Sequence, residues 1–73
     1  MLDEWRTINI AKNIKIAGAQ ISEGDTVALL FPDRTSTQSN RDFVERGIAE
    51  AKRKGYVKGP IEVWFSDKTK IDY

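Results

Sequence analysis

In the stretch AKRKGYVKG, residues 51–59, Lys52, Arg53, Lys54 and Lys58 stand with no acid among them and with Tyr56 in their midst. Cations that follow a phosphate backbone beside a ring that can stack a base are the components of single-strand binding, so this turn is a candidate contact for single-stranded RNA or DNA. Four phosphate contacts there would give a salt slope near about −3. The same residues have a plainer reading. Cations at a helix C-terminus complement the helix dipole, and a glycine such as Gly55 commonly ends a helix. A second cluster is PDRTSTQSNR, residues 32–41, which sets Arg34 and Arg41 among hydroxyls just ahead of a helix start. Free N–H groups at a helix N-terminus attract anions, but the glycines and lysine of a phosphate loop are absent. This loop also reads as a solvated connection ending in a helix cap.

Catalytic chemistry has few components to draw on. The chain has no histidine and no cysteine. The commonest general base, the commonest metal ligand and the thiolate nucleophile are therefore missing, and zinc sites of the usual kind are excluded. Asp33 and Asp42 flank the polar loop, and Asp67 and Asp72 flank the last turn, yet no two of them share a strand or helix face. A binding role without catalysis, cofactor or metal is the expectation.

The 73 residues make one domain. Net charge is +1, less basic than a dedicated nucleic-acid binder, and it is unevenly spread: residues 1–36 hold four cationic and five acidic side chains, residues 37–73 eight and six. MLDEWR shows neither the basic nor the apolar part of a secretory leader, and the longest apolar run, VALLF, is too short to span a bilayer. A cytoplasmic setting is expected.

These residues need elements to position them. In WRTINIAKNIKIAG, Ile8 and Ile10 alternate, as do Ile14 and Ile16. A hairpin with Ala11-Lys12-Asn13 as its loop places all four on one face. Ser22-Glu23-Gly24-Asp25 reads as a turn, and TVALLF, apolar on both faces, as a central strand ended by Pro32. The helix that follows is expected to start at an N-cap Ser39 and to carry an apolar stripe of Phe43, Val44, Gly47, Ile48 and Ala51. IEVWF is a strand, and two placements stay open for KIDY, a short edge strand or a cover over the outer sheet face. The expected fold is α+β, with one helix packed on one face of a small, mostly antiparallel sheet of four to five strands, in the order β-β-β-α-β(-β).

Residues 23–32, EGDTVALLFP, resemble the last strand of ubiquitin-like sulfur-carrier proteins of the β-grasp type. In that family the strand leads to a C-terminal Gly-Gly that carries the chemistry. Here the strand lies mid-chain and the sequence ends Ile71-Asp72-Tyr73, so the resemblance implies no carrier activity.

Strand parity then raises a question about Trp64. If Ile61, Val63 and Phe65 face the helix, Trp64 faces away from it. The same parity puts Leu30, Ala28 and Ala17 on that face, with Trp5 added from the expected first strand and Ile71 near Trp64. A tryptophan buries roughly 150–250 Å². Covering one is worth up to about 4–6 kcal/mol, comparable to the net stability of so small a domain. Three explanations stay open: the MLDEW segment or the KTKIDY tail covers the face, a second copy does, or another macromolecule docks there. The leading expectation is a small regulator or inhibitor that contacts a larger protein through Trp5, Leu30 and Trp64, with Arg34 and Arg41 as polar rim. A homodimer through the same face is the variant of this reading. The alternative is the nucleic-acid contact at Lys52, Arg53, Lys54, Tyr56 and Lys58.

Overall fold

The computed structural model describes residues 2–73, with side chains described from Glu4 onward. Along the chain run α1 (Leu2–Gly18), β1 (Val27–Phe31), α2 (Gln38–Arg53), β2 (Ile61–Phe65) and β3 (Lys70–Asp72). The order is α-β-α-β-β, with two helices and a three-stranded mixed sheet, not one helix on four to five mostly antiparallel strands. The expected hairpin of residues 5–18 is part of α1. Its four isoleucines fit a period of two, but only two of them fit the helical period. Ile10 and Ile14 lie one helical turn apart and are buried with Ala11, whereas Ile8 and Ile16 remain exposed. No glycine or proline interrupts residues 2–17, so nothing stops the helix before Gly18.

The strands are laid side by side as β1-β2-β3. β1 and β2 run parallel, pairing Val27 with Ile61, Leu29 with Val63, and Phe31 with Phe65. A parallel pair needs a crossover connection, and α2 supplies it. The ring centroids of Phe31 and Phe65 stand 6.1 Å apart at the carboxyl end of the pair. β3 returns antiparallel to β2, with Glu62 opposite Asp72, Val63 opposite Ile71 and Trp64 opposite Lys70. Of the two placements open to KIDY, the edge strand is the one found. β1, expected to be central because both of its faces are apolar, lies at the other edge.

α2 buries the expected stripe of Phe43, Val44, Gly47, Ile48 and Ala51. Its N-cap is Thr37, whose Oγ1 accepts from the Asn40 amide at 3.2 Å, two residues before the expected Ser39. Its C-terminus closes as a Schellman turn: the Tyr56 amide donates to Ala51 O at 2.9 Å and the Gly55 amide to Lys52 O at 3.1 Å. Gly55 has φ +74°, which an L-residue adopts only with strain.

α1 packs on α2 where Gly47 lets it approach. A Cβ at Gly47 would come within 2.6 Å of Ile10 Cγ2. One core joins both helices to one side of the sheet: Ile10, Ile14, Phe43, Val44, Ile48, Val27, Leu29, Ile61, Val63 and Phe65. Tyr73 adds a tie. Its backbone extends the β2–β3 ladder through Ile61, and its hydroxyl donates to Glu45 Oε1 on α2 at 3.0 Å. The result is a flat body of two layers, 30 × 28 × 15 Å, with both helices on one side.

Lys12 is exposed in the middle of α1. Lys12→Pro removes a helical hydrogen bond and is expected to cost about 3 kcal/mol. Urea unfolding followed by far-UV circular dichroism checks this; an unchanged midpoint would contradict α1, because a loop at residues 11–13 tolerates the change.

Candidate functional site

The sheet face turned away from the helices is built by alternation. Val27, Leu29, Ile61, Val63 and Phe65 are buried, so Ala28, Leu30, Glu62 and Trp64 point outward with Lys70 and Asp72. Register orders these side chains into two rows. Leu30, Trp64 and Lys70 lie across the three strands in one row, and Ala28, Glu62 and Asp72 in the next. Leu30 is 70% exposed and Trp64 38%. The Trp64 indole N–H donates to Glu62 Oε1 at 3.1 Å, and Lys70 Nζ lies 5.8 Å from the centre of its ring. Lys70 Nζ is also 3.8 Å from Asp72 Oδ1. The face therefore presents an apolar end on β1 and β2 and a charged end on β2 and β3.

Nothing among the described residues lies over this face. The chain from Leu2 onward forms α1 on the opposite side, and residues 70–72 extend the sheet rather than crossing it. Among the described residues the first of the three explanations is thereby removed; Met1 and the side chains of Leu2 and Asp3 lie outside them. Ile71 points inward, opposite Val63 and against the core, not toward Trp64. Ala17 belongs to α1 and packs on the core. Trp5 does not share the face either. It sits 64% exposed on α1, with Ile8 and Ile16, across the molecule from Trp64.

The two arginines read as rim are also elsewhere. The Arg34 guanidinium lies 5.1 Å from the centre of the Phe43 ring, on the helix side of the sheet. Arg41 donates from Nη2 to Gln38 Oε1 at 3.1 Å, and its buried Nε has no partner. The polar border of the sheet face is instead Glu62, Lys70 and Asp72. Parity alone could have marked Glu62, but Lys70 and Asp72 required the register of β3.

The basic turn is largely neutralised from within. Arg53 Nη2 lies 2.6 Å and Lys54 Nζ 3.4 Å from Glu50 Oε1, and Lys58 Nζ lies 3.4 Å from Glu23 Oε1. The hydrogen bond from Arg53 is the largest influence holding the Glu50 carboxyl below its ordinary value. Lys52 has no carboxylate at ion-pair distance among the described residues. Tyr56 is half-buried, and its ring is approached by Lys15 Nζ at 5.2 Å and Lys54 Nζ at 6.0 Å. A ring flanked by its own lysines is a poor stacking platform. Beside this turn, an open groove of about 220 Å³ runs between residues 21–25 and 55–59. That is below the size of a typical small-molecule pocket.

At the carboxyl ends of β1 and β2, the two loops are latched together. Asp67 Oδ2 accepts from the Ser36 amide at 3.0 Å and from Ser36 Oγ at 2.7 Å, while Oδ1 accepts from the Thr69 amide at 3.1 Å. The Ser66 amide donates to Arg34 O at 2.7 Å. No group of three or more carboxylates among the described residues is placed to hold a metal. No helix of the described residues is long and apolar enough to cross a membrane.

Comparison of the chain with protein-family models, curated proteins and solved structures finds no match. The functional reading therefore rests on the molecule itself.

Two pH effects follow from these contacts. The hydrogen bonds from Ser36, then Thr69, hold the Asp67 carboxyl well below its ordinary 3.8. This contribution to stability is present above about pH 4 and is lost as pH falls further. Asp67→Asn is expected to be less stable than the parent at neutral pH, by a margin that shrinks toward pH 2 in urea titrations. Burial first, then the bond to Glu45, push the Tyr73 hydroxyl up to about 12. Its contribution is present below pH 10 and lost as pH rises toward 12, a loss that Tyr73→Phe should abolish.

Proposed function

We propose that the protein is a non-catalytic binding module that contacts another protein through the outer face of its sheet, in a cytoplasmic setting, as small regulators and inhibitors do. The observation that carries this reading is the bare face itself: Leu30 is 70% exposed beside Trp64 on a sheet whose β1–β2 pair is parallel. Parallel pairs are ordinarily covered on both faces, and here both helices are spent on one. Tryptophan is enriched at the centre of protein interfaces, where it fills a pocket on the partner.

The charge pattern describes the partner. Glu62 and Asp72 stand directly opposite each other in the antiparallel pair, and Lys70 lies 3.8 Å from Asp72. Like charges in register repel, and a basic group brought to them relieves that repulsion. The fitting occupant is an apolar protein surface bordered by lysine or arginine, seated on Leu30 and Trp64.

Leu30→Glu tests the proposal without disturbing the core, since an exposed position changes stability by only about 0.5 kcal/mol. A partner trapped by cross-linking to the parent protein and then purified is titrated against the variants by calorimetry. Leu30→Glu and Trp64→Ala are each expected to weaken binding about 30-fold or more, as truncation of an interface anchor does. Neutralising Lys52, Arg53, Lys54 and Lys58 together should leave it unchanged. Binding that survives both sheet-face variants and fails with the neutralised turn would overturn the reading in favour of the basic turn. A dimer that Leu30→Glu dissolves would assign the face to a second copy.

A further inference from the structure

Away from the sheet face, two guanidiniums converge on one ring. Arg6 of α1 places Cζ 5.5 Å from the centre of the Phe43 ring, and Arg34, in the loop after β1, places Cζ 5.1 Å from the same point. Phe43 is buried, 3% exposed, so its ring is a fixed platform within the core of α1, α2 and the sheet. Both arginines are half-buried. Neither has a carboxylate at ion-pair distance among the described residues. Asp67, whose own loop is bound to that of Arg34 through the Ser66 amide, is committed to Ser36 and Thr69.

Covering an aromatic ring takes one side chain, and an apolar one serves as well. Two unpaired cations brought to one ring instead repel each other. An arrangement of this kind is stabilised by an anion that takes both. Both guanidiniums lie within 5.5 Å of the ring centre, and their N–H donors have no carboxylate at ion-pair distance among the described residues. Arg34 also lies beyond the carboxyl end of the β1–β2 pair, its carbonyl bonded to the loop that follows β2. That is the end of an open sheet with parallel strands where ligands bind.

The geometry points to Arg6 and Arg34, ordered on Phe43, as a binding site for a doubly charged phosphate group of a small molecule. Two arginines supply two positive charges and paired N–H donors matched to phosphate oxygens. This site is separate from the sheet-face reading and does not rest on it, because the two surfaces share no residue and lie on opposite layers.

The test is a titration of the whole chain with inorganic phosphate against chloride at constant ionic strength, at pH 7.5. The signals followed are the Nε–Hε groups of Arg6 and Arg34 and the ring protons of Phe43. Saturable shifts at all three are expected. Arg34→Gln and Arg6→Gln should each weaken binding roughly tenfold or more, and acetate, with one charge, should bind more weakly than phosphate. Arg34→Lys keeps a cation over the ring without the fork, so it holds the fold and should still bind more weakly than the parent. Shifts that grow without saturating, that persist undiminished in Arg34→Lys, or that appear equally with acetate would overturn the proposal.

Discussion

The parallel pairing of β1 with β2 is the constraint on which the rest of the structure depends. Two parallel neighbours cannot be joined by a tight turn, so a crossover helix must leave one strand and return to the start of the next. α2 does this, and its stripe from Phe43 to Ala51 is then committed to one side of the sheet. α1 docks on that same side, at the notch left by Gly47. Every helical residue is thereby used on one layer, and β3, tied at Tyr73 to α2, extends the sheet instead of crossing it. The uncovered face is a consequence of topology, not of an unusually apolar sequence.

That constraint also sorts the chemistry. The inward parity of β1 and β2 is spent on the core, and the outward parity leaves Leu30 and Trp64 beside a short charged border. The loops at the carboxyl end of the pair are held by one carboxylate, Asp67, and present Arg34 toward Phe43. Cations at the opposite end, around Gly55, are mostly answered by Glu50 and Glu23. Among the described residues, the sheet thus leaves an apolar, flat face and a cationic pair beside an aromatic ring, while Trp5, Ile8 and Ile16 stay exposed on α1.

Local signals are legible in the sequence and non-local ones are not. The stripe of α2, the turn at Gly24, the strand Ile61–Phe65 and the outward position of Trp64 each depend on spacing within a few residues, and each is found. The first helix is hidden because isoleucines at 8, 10, 14 and 16 all satisfy a period of two, whereas only Ile10 and Ile14 share the buried helix face. The signal that separates the two readings was the uninterrupted run before Gly18: Ala11-Lys12-Asn13 contains no residue that forces a turn. Without that helix, strand parity puts Trp5 in the wrong layer. The apolar outer residues of β1 suggest a central strand but mark equally an edge strand on a bare face. Arg6 carries no local signal, since only α1 brings it to Phe43.

The central claim is that the chain leaves the outer face of its own sheet uncovered. Solvent paramagnetic relaxation by a soluble gadolinium chelate, read at the methyl groups of the dilute protein, tests it most directly. Ala28 and Leu30 should be relaxed strongly while Val27, Leu29 and Val63 are spared. Protection of Ala28 and Leu30 to the level of Leu29 would contradict the account, because it would show that the face is closed without any partner.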